Sequence, residues 1–478
     1  MSFNSIDFLI FLFITLAVYW ILPRRGQNLF LLAGSYFFLC YIHIWFGALI
    51  LMVTAVNYSC GVAIASWPKR KKIFLILALV FCLGELAYFK YSSFFLENIS
   101  ILLHNMGVPF SKPVLAIMLP VGISFYTFQA LAYTIDVYRG DTQPCYDVID
   151  FSLFISFFPQ LVAGPIERSS NLMPQIRRSR RVTPEQIQQG LMLLIWGFFK
   201  KLVIADNTGM IAFKVFSLTD PGFYLLWSGV FAFGIQILAD FWSYTDIARG
   251  SALLFGFKLS RNFDHPYFSK SPADFWRRWH MTLSYWLRDY VYFPLGGSRV
   301  QSSLRRGANI IITFFLSGFW HGASWNFILW GCYHGLLVLV DRLCRRLFSS
   351  LNLSLSSQFH FPVLMIKILL TFVLVNVGWL MFRETDIHAL LHYFQLNPWS
   401  STAEDNQVAG YLFSLTLLYS LPIFFHGILY FLDKRKRGSQ DDYAKFILLL
   451  RPALGTILLL AILTLRSPEP ATFIYFQF

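Results

Sequence analysis

The sequence predicts an all-α polytopic integral membrane protein, and three features carry that prediction. Apolar residues make up 56% of the 478 and charged residues only 13%, whereas soluble domains carry about 25% charged residues. The apolar residues gather into runs such as Ile6–Leu22, Ile73–Phe89 and Tyr411–Leu432, each near the roughly 17–25 residues that span hydrocarbon. The basic residues fall between runs, at Arg24-Arg25, Lys69–Lys72, Arg177–Arg181, Arg342–Arg346 and Lys434–Arg437. In a soluble chain a formal net charge of +14 would point to nucleic acid. Clustered in this way it sets topology against membrane lipids instead.

Read in order, Ile6–Leu22, Asn28–Tyr41, Ile44–Ala65 and Ile73–Phe89 are spans. The first lacks a basic n-region and a cleavage site, so it is retained. With Arg24-Arg25 and Lys69–Lys72 cytoplasmic, the N-terminus and the loop Tyr91–Pro113 lie outside, and Leu115–Val137 returns inward. Phe151–Ala163 is short, contains Pro159 and is followed by the strongly basic IERSSNLMPQIRRSRR, so that both its flanks read as cytoplasmic. It reads as a re-entrant segment needing protein cover, or as an amphipathic surface helix.

Thr183-Pro184-Glu185-Gln186 has the form of a capping box and opens a helix expected to end near Ala205. Lys200-Lys201, near its far end, runs against the simple charge rule. Phe223–Tyr244 is a further span, in which Gln236 and Asp240 share a face as a helix-packing pair. Pro362–Phe382, Tyr411–Leu432 and Phe446–Leu465 complete the count, the last interrupted at Arg451-Pro452. The reading is one integral domain over 1–478, with its motif core at about 151–341. The six cysteines show no metal-ligand spacing and read as small buried hydrophobes; no metal site is visible.

Ser271–Asp341 departs from ordinary membrane helix, with six tryptophans and the histidines His280, His321 and His334 in or beside apolar runs. Lipid rejects such groups, so they face protein, a cavity or an interface. Ser271-Pro272-Ala273-Asp274 is a helix start. If that helix continues, Trp276, His280 and Ser284 share a face, accompanied by Arg277, Arg278 and Arg288. It reads as an interfacial helix snorkelling its arginines, with phosphate binding near His280 as the functional alternative. His321 ends the apolar run Ala308–Trp320, and the small pair Gly322-Ala323 beside it leaves room for a substrate. An imidazole there can take a proton from a hydroxyl. Helix packing is the competing account of such a histidine, and the one adopted for His334.

DFWRRWHMTLSYWLRDYVYFPLGGSR at 274–299 and LSGFWHGASWNFILWGCYHG at 316–335 resemble the membrane-bound O-acyltransferase (MBOAT) superfamily. The resemblance is to its bacterial branch containing alginate O-acetyltransferase. SFFPQLVAGPIER at 156–168, GFFKKLVIAD at 197–206 and the ending FIYFQF add to it. It implies a core of re-entrant and amphipathic helices around a central tunnel, in the bacterial cytoplasmic (inner) membrane. The implied activity moves an acyl group from a cytoplasmic thioester, acetyl-CoA as donor and not a resident cofactor, to the opposite side. An SGNH-type periplasmic or extracellular partner then finishes transfer to a polysaccharide acceptor, alginate-like by preference. His321 matches the family's catalytic histidine and His280 its second histidine motif. Trp276, Trp320, Trp325 and Asn326, with Arg277, Arg278 and Arg288, are candidate substrate contacts.

The enzymatic rival is D-alanyl transfer to teichoic acid from a carrier protein. A proton-coupled transporter and a purely structural scaffold are the non-enzyme alternatives. Transporters often show paired broken helices in related halves, and no such symmetry is visible. There is also no GxSxG elbow for a serine nucleophile.

Overall fold

The computed structural model describes residues 1–108, 118–162, 164–350, 360–436, 441–469 and 471–474. Its helices run α1 (Ile6–Tyr19), α2 (Arg24–Cys40), α3 (Ile44–Ser66), α4 (Lys71–Leu86), α5 (Ser92–Asn105), α6 (Ile123–Arg139), α7 (Val148–Ser156), α8 (Phe158–Leu161), α9 (Ser169–Arg177) and α10 (Pro184–Phe199). There follow α11 (Asp206–Phe216), α12 (Phe223–Leu254), α13 (Pro272–Trp276), α14 (Met281–Leu287), α15 (Ser303–His321), α16 (Trp325–Ser350), α17 (His360–Arg383), α18 (Ile387–Gln395), α19 (Ala403–Lys436) and α20 (Asp441–Leu465). Among the described residues, seven helical stretches are long and apolar enough to cross a membrane, and Ile6–Tyr19 and Pro452–Leu465 are shorter apolar helices. The chain is an all-α, multi-pass membrane protein.

Parts of several expected features lie outside the described residues. They are the end of the Tyr91–Pro113 loop, the start of the Leu115 run, Ala163, Arg437 and the last four residues of FIYFQF.

Three boundaries differ from expectation. No glycine or proline interrupts Ser92–Asn105, so the helix entered at Pro68 passes through a π-turn at Ala87–Tyr91 and continues to Asn105, where a loop was expected. In the described part of the run from Leu115, helix begins at Ile123, because Pro120 and Gly122 precede it. Gly122 holds φ 75°, and a Cβ there would collide with the Leu161 carbonyl. The helix from Pro184 does not stop at Ala205 but turns through a π-helical stretch, Lys200–Ala205, into α11.

The capping box at its start forms as read. Thr183 Oγ1 accepts from Gln186 N–H at 3.3 Å, and Gln186 Oε1 accepts from Thr183 N–H at 3.0 Å. Lys200 and Lys201 escape the charge rule because both are fully buried with acids. Lys200 Nζ lies 2.6 Å from Asp246, and Lys201 Nζ lies 2.8 Å from Asp206 and 2.9 Å from Asp240. Asp240 therefore serves Lys201, and the expected pairing with Gln236 is not made.

The chain forms two compact units, 1–191 with 247–260 and 192–246 with 261–478. In the first, the Phe151 run breaks into α7 and α8 at Phe157, and every residue from Phe151 to Val162 is buried. A surface helix is thereby excluded; the broken backbone has the protein cover that such a segment needs. Arg180 is held there by Asn28 Oδ1 at 2.6 Å and Gln27 Oε1 at 3.1 Å. In the second unit the hairpin of α15 and α16 packs on α13 and α17. Of the cysteines, Cys60, Cys82 and Cys145 are buried, while Cys344 is exposed, unlike a small core hydrophobe.

Candidate functional site

The hairpin fixes where His321 sits. Arg305 and Arg306 open α15, and Arg342, Arg345 and Arg346 lie far along α16. His321 ends α15, so it stands at the opposite end of the hairpin from these basic residues, about 24 Å along the helix axis from Arg305. The helices touch at Gly318 and Gly331: a Cβ on Gly318 would strike the Phe327 carbonyl, and one on Gly331 the Phe314 carbonyl. Glycine at both positions lets the backbones meet one turn before His321. The space expected at Gly322 is filled by the Phe327 ring.

Aromatic rings enclose the imidazole. His321 is 3% exposed and meets Trp320, Trp330 and Phe382 edge to face, with centroids 4.9, 5.0 and 5.3 Å away. Trp330, fully buried, also touches His334 at 5.0 Å and Trp276 at 5.6 Å. The indole N–H groups of Trp276 and Trp330 are buried without a hydrogen-bond partner among the described residues. Such donors are uncommon in native proteins and call for an explanation. His334 is wedged between Trp276 and Trp330, with both ring nitrogens in the same condition.

The helix expected to carry Trp276, His280 and Ser284 on one face breaks between them. α13 ends at Trp276, and His280 takes the left-handed conformation (φ 40°) before α14. Neighbouring backbone holds the break: Asp264 N–H donates to the Arg278 carbonyl at 3.0 Å and Met281 N–H to the Asn262 carbonyl at 2.9 Å. The start is as read, with Ser271 Oγ accepting from Asp274 N–H at 3.2 Å. His280 is thereby turned into the protein, fully buried, edge-on to Phe241 at 4.7 Å and to Trp320 at 5.8 Å. Burial pushes its imidazole down to about 3, so it is neutral at ordinary pH. Trp320 touches both His280 and His321.

A cavity of about 270 Å³ lies along the same face of α15. Its wall includes Trp276, Arg277, Arg288, Tyr292 and Arg342, and it passes Ile310 and Phe314 to Ser317, one turn from His321. The Tyr292 hydroxyl, like the Trp276 indole, is buried without a hydrogen-bond partner among the described residues. Arg288 pairs with Asp289 at 2.7 Å and stays half exposed. Arg278 is not part of this wall; it pairs with Asp274 at 3.2 Å and Asp264 at 3.8 Å. Asn326 is fully buried, and its amide N–H donors go to the Met381 and Phe382 carbonyls at 3.1 and 3.5 Å, tying α16 to α17. Trp325 is 52% exposed.

Sequence reasoning missed Trp330, Phe382 and the two glycines. The face of Phe327, Trp330 and His334 was visible at helical spacing, but no spacing rule connects it across the hairpin to His321. Among the described residues no group of histidines, cysteines and acids is arranged to hold a metal ion.

A model of the membrane-bound O-acyltransferase family, MBOAT, matches residues 31–382. The probable alginate O-acetylase AlgI of Azotobacter vinelandii is 36% identical, with 100% of both chains covered. The peptidoglycan O-acetyltransferase of Helicobacter pylori is 33% identical over 85% of this chain and 83% of its own. The teichoic acid D-alanyltransferase of Streptococcus thermophilus is 30% identical over 47% of this chain and 58% of its own.

Proposed function

The chain belongs to the membrane-bound O-acyltransferase family, and from that premise we propose that it transfers acetyl groups from a cytoplasmic thioester for O-acetylation of a polysaccharide on the far side of the membrane. It is an O-acyltransferase. The observation that carries the finer reading is the cavity joining an arginine-lined end to the neighbourhood of a buried, ring-enclosed histidine. By the positive-inside rule the arginine end of the hairpin is cytoplasmic, in a bacterial inner membrane.

The donor is acetyl-CoA. Arg277, Arg288 and Arg342 are placed to meet its phosphates, and the part of the cavity lined by Phe314 and Ser317 would take the thioester arm. His321 takes the proton of the acceptor hydroxyl as its oxygen forms a bond to the acetyl carbonyl carbon. The carbon–sulfur bond breaks, and the CoA thiolate leaves with the proton from the imidazolium. Charge develops on the carbonyl oxygen in between. The buried N–H groups of Trp276 and Trp330 are the available donors for it, since those of Asn326 are committed to α17. His280, neutral and buried, helps form the wall around Trp320 and is not needed as a second base.

The acceptor side is reached at the His321 end, where an SGNH-type partner completes transfer to the polymer. Identity to an alginate O-acetylase over the full length and to a peptidoglycan O-acetyltransferase over 85% of the chain supports the acetyl reading over D-alanyl transfer, whose relative matches about half the chain. Purified protein supplied separately with labelled acetyl-CoA and with a D-alanyl carrier tests it. Labelled acetyl transfer from CoA is expected; acyl transfer from the carrier alone would overturn the reading.

A further inference from the structure

Lys201 is a cation buried completely inside a long apolar helix, and its partners include more than acids. Nζ is shared between Asp206 and Asp240 and also donates to the Ala471 carbonyl at 2.9 Å. The second oxygen of Asp240 accepts from Ile474 N–H at 2.8 Å. One ionic group thus grips the backbone that follows α20 at two points, and Ser467 N–H adds a third by donating to the Leu202 carbonyl at 3.1 Å. The π-turn at Lys200–Ala205 accompanies this arrangement. It is a helix irregularity of the kind that recurs at functional positions.

The grip has a direction. Between Ala471 and Ile474 it presses Phe473, 1% exposed, onto Tyr244, stacked with centroids 3.9 Å apart. Phe473 also meets Phe241 at 6.2 Å, and Phe241 stands edge-on to His280 at 4.7 Å. A continuous file of rings therefore joins the clasped segment to His280, and through Trp320 to His321. Such a file transmits position because packed interiors leave rings little free volume.

We propose that Phe473 is a positioning residue for His280, that Lys201 and Asp240 are the clasp seating it, and that loss of either lets the His280 wall of the acyl-transfer site open. Deepening the acyltransferase reading, this assigns the buried ions of α10–α12 a task in that site. A buried ion pair is by itself weak evidence of stabilisation, and its role here is to fix where one ring stands.

The test is diethyl pyrocarbonate labelling of the full-length protein in lipid nanodiscs, with His280 and His334 followed separately by peptide mass spectrometry. His334 is equally buried and serves as the internal reference. In Phe473→Leu and Asp240→Asn, His280 is expected to label several-fold faster while His334 keeps its rate. Phe473→Tyr, which retains the ring, restores slow labelling. In acetyl transfer, kcat falls in Phe473→Leu and KM for acetyl-CoA holds. An unchanged His280 rate in folded Phe473→Leu overturns the proposal, as does a parallel rise at both histidines, which would mean general loosening. The labelling needs neither donor nor acceptor, so it stands or falls independently of the acetyl-CoA reading.

Discussion

Trp330 meets His321 edge to face, the ring centroids 5.0 Å apart at 86°. The imidazole is thus fixed by packing on a buried indole whose own N–H has no hydrogen-bond partner among the described residues. In the proposed acetyl transfer this arrangement separates two tasks: His321 would handle a proton, and the indole N–H would meet an oxygen.

His321→Ala should cost about 10²–10⁴ in kcat, the range for loss of a general base, while the protein still inserts and accumulates. Acetyl transfer by membranes carrying the variant, normalised to protein level, measures this. Full activity would remove His321 from the chemistry.

Trp330→Phe keeps a ring beside His321 and deletes only the donor edge and part of the indole. If the N–H meets the developing oxyanion, kcat falls by about 10²–10³ with KM for acetyl-CoA little changed. Deleting a buried, unpartnered donor also relieves a desolvation penalty of about 1–3 kcal/mol, which offsets part of the lost packing. The variant should therefore remain folded, and unchanged kcat in steady-state assays would rule out the donor role.

Arg277 is exposed at the cavity wall, and Arg277→Gln should raise KM for acetyl-CoA while leaving KM for a short acetyl-pantetheine thioester alone. Salt should weaken acetyl-CoA use in the parent more than in the variant, because exposed charges are screened within about 8 Å at physiological ionic strength. Equal effects on both donors would move the phosphate contact elsewhere.

The buried histidines set an acid limit. His280 and His265 lie outside the membrane-spanning helices, and burial pushes each down to about 3, His265 with added repulsion from His426. An unfolded imidazole titrates near 6.5, so between about 6.5 and 3 the unfolded chain binds protons that the folded chain refuses. Stability from this source is complete above about 6.5 and declines as pH falls toward 3. Thermal unfolding in detergent should show this slope, and His280→Asn, which tolerates the left-handed backbone, should flatten it.

Local signals in the sequence were reliable where a few neighbouring residues decide the structure. The Thr183 capping box and the Ser271 cap formed as read because donor and acceptor are three residues apart. The helix through His280 was not legible, since the break depends on Asn262 and Asp264 binding its backbone. The lysines at 200 and 201 looked like orientation signals because Asp240 and Asp246 lie some 40 residues away. The place of His321 at the end of an apolar run was legible in the sequence; of the rings that confine it, Trp330 and Phe382 come from α16 and α17, which only folding brings to it.

The glycine contact between α15 and α16 makes the hairpin a ruler. Locked at Gly318 and Gly331, its two helices cannot slide past each other, so His321 keeps a fixed distance from the arginines at the other end, which on the proposed topology is the cytoplasmic side. A bilayer much thinner than the hairpin would bring water to the histidine before it brought an acceptor. The expected symptom is wasteful thioester hydrolysis that grows as lipid chains shorten, with membrane thickness acting as part of the enzyme's fidelity.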